Sequence, residues 1–73
     1  MENKKEMLKG FGDRLRRQRV KRKLSQAKVA EEVPLNIRTL QRAEAGKVNF
    51  KITTLTRLTQ VLGCDPGELL PLW

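Results

Sequence analysis

Apolar residues recur along this chain at helical spacing, and no stretch alternates apolar with polar as a half-buried strand would. Phe11 and Leu15 lie four residues apart and share one helical face. Val29 and Ala30 mark a second helix behind Ser25, a suitable N-cap, and Asn36 is an N-cap for a third helix covering Ile37 to Ala43. Ile52, Leu55, Leu58, Val61 and Leu62 then trace the buried stripe of a fourth, which Gly63 ends. Asp65 as N-cap, Pro66 at N1 and Glu68 at N3 read as an acidic capping box opening a short fifth helix with Leu69 and Leu70. The pattern predicts an all-α fold, five helices in one compact bundle. Residues 1–9 are polar, lack a start signal and precede Gly10 and Gly12, so they read as a flexible tail or a loose helical extension. The folded domain is expected over residues 10–73.

A chain of 73 residues makes one small domain, with no room for a separate catalytic or ligand-binding unit. Sixteen Lys and Arg against eight Asp and Glu, with no His, leave a formal charge of +8, which favours a polyanionic partner. Charge alone does not decide the matter, because basic small proteins are common. Seven of the ten residues Arg14 to Lys23 are basic; the plain reading is a solvated helix face, with one or two side chains available to phosphate. Cys64, the single cysteine, forms no internal disulfide, and without His there is no zinc site of the usual kind. No metal, cofactor or small-molecule ligand is expected. No run approaches the roughly 18 apolar residues of a membrane span, and Met1 to Gly10 lacks the apolar core of a signal peptide, so the expected location is the cytoplasm. An enzyme is the least favoured class: there is no His, no Tyr and no glycine-rich phosphate loop, and capping accounts for Asp65 and Glu68.

The most informative stretch is Leu24 to Gly46, LSQAKVAEEVPLNIRTLQRAEAG. Val33-Pro34-Leu35 breaks the periodicity between two short helices, the arrangement of a helix-turn-helix, whose second helix enters a DNA major groove. Leu15 with Arg19, Leu24-Ser25-Gln26, Ala30, Leu35-Asn36, Thr39-Leu40, Glu44 with Gly46, Asn49, Thr54-Leu55 and Leu62-Gly63 fall in family order. On these residues the chain resembles, from about Arg14 to Leu70, the Xre-type family of lambdoid phage repressors and Cro proteins. The resemblance implies a lambda-repressor-like domain with a recognition helix at about 36–44.

It also implies roles. Asn36, Ile37, Arg38, Gln41 and Arg42 are expected to read bases, with Thr39 partly turned inward and, like Ser25, Gln26, Lys47, Asn49 and Lys51, expected on the DNA backbone. Arg38 and Arg42 share an exposed face; arginine grips guanine O6 and N7, and glutamine adenine N6 and N7, in bidentate fashion. Ile37 is placed either on a thymine methyl or as a cap of the motif. Gln26 stands at the start of the first motif helix, where side chain and backbone amides meet a phosphate. An architectural ion pair between Arg19 and Glu44 is implied. Three positions depart from the pattern. Pro34 stands where the family carries a glycine of positive φ, Ala43 replaces a larger aliphatic residue, and Lys51 replaces a Ser or Thr cap.

The expected function is a sequence-specific transcriptional regulator, a repressor by resemblance, bound as a homodimer to an inverted repeat of double-stranded DNA. The rival is a protein-interaction module, such as a toxin-binding antitoxin or a factor bridging the transcription machinery. Leu69, Leu72 and Trp73 are the expected dimer contact, with Trp73 folded back on the core as the simple alternative.

Overall fold

The computed structural model describes residues 4–70. Five helices follow in order: α1 (Lys4–Lys21), α2 (Gln26–Glu32), α3 (Ile37–Glu44), α4 (Ile52–Leu62) and α5 (Pro66–Leu69). The core gathers Phe11 and Leu15 from α1, Val29 and Ala30 from α2, Val33 from the turn, Leu40 and Ala43 from α3, Leu58 and Leu62 from α4, and Leu69 from α5. Each helix thus buries a narrow stripe, and the exposed remainder carries the charge.

α1 runs without a break through Gly10 and Gly12, so residues 4–9 form its first turns. Gly12 is where α1 meets α3: a Cβ there would stand 2.5 Å from the carbonyl oxygen of Ala43 and 2.7 Å from that of Glu44. Such contact requires glycine. It also accounts for the small residue at 43, since backbones this close leave no room for a longer aliphatic chain.

Three helices end alike. α1, α3 and α4 close on Lys23, Gly46 and Gly63, all of positive φ, with the next amide reaching back five residues: Leu24 to Arg19, Lys47 to Arg42 and Cys64 to Thr59. The Val33–Pro34 peptide is cis, and the Leu35 amide donates to the Ala30 carbonyl at 2.6 Å. Arg57 of α4 spans the back of this turn, its Nη2 donating to the Glu32 carbonyl at 3.2 Å and its Nε to the Val33 carbonyl at 3.3 Å.

Three expectations need correction. Ile52 is not part of the α4 stripe: it is 70% exposed, and the buried face is Leu58, Thr59 and Leu62, because Ile52 opens the helix beyond the reach of the core. Asp65 caps α5 by position alone, with no side-chain cap bond, so the capping box does not form. Leu69 is fully buried within the monomer and is no surface contact; Leu72 and Trp73 lie outside the described residues. No helix among the described residues is long and apolar enough to cross a membrane.

Candidate nucleic-acid interface

Leu40 and Ala43 anchor α3, and geometry assigns the rest of that helix. At 3.6 residues per turn, the side opposite Leu40 and Ala43 presents Arg38, Gln41 and Arg42, with Ile37 at its edge, and all four are exposed. Thr39 is half-buried at the flank. Asn36 begins the helix by accepting the Arg38 amide on Oδ1 at 2.8 Å, which engages its oxygen and not its amide nitrogen. Ser25 caps α2 in the same way, its Oγ accepting the Lys28 amide at 3.0 Å.

Behind the exposed face lies a connected polar array. Arg19 Nε donates to Glu44 Oε2 at 2.6 Å and Nη2 to Glu44 Oε1 at 3.0 Å, a forked pair with side chains only 12% and 5% exposed. The third guanidinium nitrogen, Nη1, donates to the Leu24 carbonyl at 2.9 Å. One side chain therefore joins α1, the segment leading into α2, and α3. Gln26 Nε2 donates to Glu44 Oε1 at 3.2 Å, and Gln26 Oε1 accepts Gln41 Nε2 at 3.3 Å. The array runs from the interior at Arg19 to the exposed Gln41 amide, so the outermost glutamine is held by a chain of partners and not left to its rotamers.

Gln26 is thus tied to two side chains of α3, a relation that spacing along the sequence did not disclose. The signal was present in the residue types alone: amides at 26 and 41 and a carboxylate at 44 leave several donors and acceptors to be matched near a helix crossing. Lys47, Asn49 and Lys51 follow α3 on an exposed row. Val48 and Phe50 alternate with them and turn inward, Phe50 meeting Phe11 edge to face at 6.1 Å and 84°. The loop is therefore pinned by its inward residues while its outward ones face solvent. Among the described residues no group of His, Cys, Asp and Glu is placed to hold a metal. Cys64 is half-buried, and burial, with the nearby Glu68 carboxylate, pushes its thiol pKa up.

The family model for a helix-turn-helix domain matches residues 11–73. The chain belongs to the helix-turn-helix domain family. Among solved structures it is similar to the restriction-modification controller protein C.AhdI from Aeromonas hydrophila, with 32% identity, 86% of this chain and 96% of that chain covered, and a TM-score of 0.82. It is also similar to hydroxypropylphosphonic acid epoxidase from S. wedmorenis at 29% identity and a TM-score of 0.86, where 92% of this chain covers 36% of the epoxidase. The clp gene regulator ClgR from Corynebacterium glutamicum, at 19% identity and a TM-score of 0.83 over 86% of this chain and 67% of that one, shares the fold. No curated protein matches the chain. Family and neighbours together support a DNA-binding regulator, with structure neighbours of the Cro/C1 type.

Proposed function

We propose that this helix-turn-helix protein is a transcriptional repressor that reads an inverted-repeat operator as a homodimer, inserting α3 into the major groove of each half-site. The observation that carries this reading is the exposed face of α3, where Arg38, Gln41 and Arg42 stand together and Gln41 is held from behind by Gln26. Asn36 and Ile37 enter the groove first, and Ile37, 40% exposed, offers methyl groups to a thymine. Ser25, Gln26, Thr39, Lys47, Asn49 and Lys51 lie on sugar and phosphate, fixing register without reading sequence. The likeness to a restriction-modification controller, 96% of whose chain is covered, supports a regulator's role for this domain.

For the dimer contact we propose the surface around Ile52. This large aliphatic side chain is 70% exposed and borders a small apolar depression whose partly exposed lining includes Leu55, Pro66 and Leu70. Replacing it by Glu is expected to lower the sedimentation coefficient from dimer to monomer without unfolding the chain; an unchanged value places the interface elsewhere.

The deciding experiment is selection from a random duplex pool near physiological salt. An enriched inverted repeat with half-sites about one turn, roughly 34 Å, apart is the expected result. Arg38→Ala is expected to relax one base position by about 1–3 kcal/mol, that is, on the order of 5- to 150-fold. Retention of duplex with no enriched sequence overturns the reading in favour of a protein partner.

A further inference from the structure

The first turns of α1 lie beside the loop that follows α3, and this juxtaposition gives the basic residues there a place to act. Gly46, at φ +79°, opens that loop, and a Cβ built on it would stand 2.7 Å from the Cα and 3.0 Å from the backbone nitrogen of Lys9. The helix and the loop therefore touch backbone to backbone. On its neighbouring face, α1 lays Met7, Leu8 and Phe11 along Val48 and Phe50, the five together with Asn49 lining one apolar groove. The stretch is thus packed along the loop and not detached from the domain.

Helical periodicity then orients the lysines. Gly12 faces the end of α3, Lys9 lies three residues before it beside Gly46, and Lys5 one further turn back on the same side. Both lysines are exposed, as are Lys47 and Lys51. The two rows meet at Gly46. We propose that Lys5 and Lys9 contact the DNA backbone, extending the phosphate-binding edge of Lys47, Asn49 and Lys51 to phosphates flanking each half-site. The inference rests on the DNA-binding reading above. Its chemistry is that of ammonium groups on phosphate oxygens, which adds affinity and salt dependence but no sequence preference.

The test compares the full chain with the double variant Lys5→Ala/Lys9→Ala on a selected duplex across a salt series. Each phosphate contact contributes about 0.9 to the slope of log affinity against log salt, so the slope is expected to fall by about 2 per subunit, with the selected sequence unchanged. Arg17→Ala/Lys21→Ala removes equal charge from exposed positions on the side of α1 away from Leu15 and is expected to leave the slope near the parent value. An equal drop in both double variants means general charge, and an unchanged slope in Lys5→Ala/Lys9→Ala, with or without a lower melting temperature, means that these lysines do not touch phosphate. Either outcome overturns the proposal. Failure of the parent protein to bind duplex in a salt-dependent manner would instead overturn the functional reading itself.

Discussion

At the scale of single residues, Lys23 is the one residue other than glycine, among the described residues, with a positive φ. It closes α1 at φ 59°, in the left-handed region that Gly46 and Gly63 occupy at the matching positions of α3 and α4. A side chain there costs about 1 kcal/mol against glycine, because Cβ crowds the neighbouring carbonyl oxygen. Lys23→Gly is accordingly expected to stabilise the fold by about 1 kcal/mol, raising the thermal midpoint by several degrees in calorimetry for a domain of this size. The Arg19 and Glu44 side chains show the opposite economy: three guanidinium nitrogens and two carboxylate oxygens are all engaged, so loss of either partner would leave the other buried without its counter-charge.

At the scale of elements, the joint between α2 and α3 depends on α4. Arg57 covers the carbonyls of Glu32 and Val33, which the end of α2 would otherwise leave to solvent. Arg57→Ala is expected to cost about 1–2 kcal/mol in denaturant unfolding while leaving the selected DNA sequence unchanged, because the side chains of α3 that face outward are untouched. Helix order, the caps at Ser25 and Asn36, and the inward Leu40 were legible in the sequence, because each follows from local spacing or from one residue's hydrogen-bonding habit. The exposed row on α3 was legible for the same reason, since fixing Leu40 fixes where Arg38, Gln41 and Arg42 point. Contacts between distant segments could be read only where the family resemblance implied them, as for Arg19 and Glu44. Ile52 fits the periodicity of α4 as well as Leu58 does, and only the position of the neighbouring helices decides that one is bare and the other enclosed. Leu69 looked available for the converse reason, and the reach of Arg57 across 24 residues to Val33 has no local signature at all.

At the scale of the whole molecule, a formal charge of +8 sits on a body whose apolar interior is shared by all five helices. The field of such a charge draws the protein toward DNA before any specific contact forms, so association should slow as salt is raised. The placement of α3 has a thermodynamic corollary. Its carbonyl end abuts α1 at Gly12, the following turn abuts it at Gly46, and Arg19 and Gln26 hold the Glu44 side chain at that same end. A helix already packed in this way would lose little chain entropy on binding DNA. Titration calorimetry at several temperatures is expected to return a heat-capacity change no larger than the apolar surface covered at the interface accounts for. An excess of the kind that accompanies folding on binding would mean that the helix presented to DNA is not the one packed against Gly12.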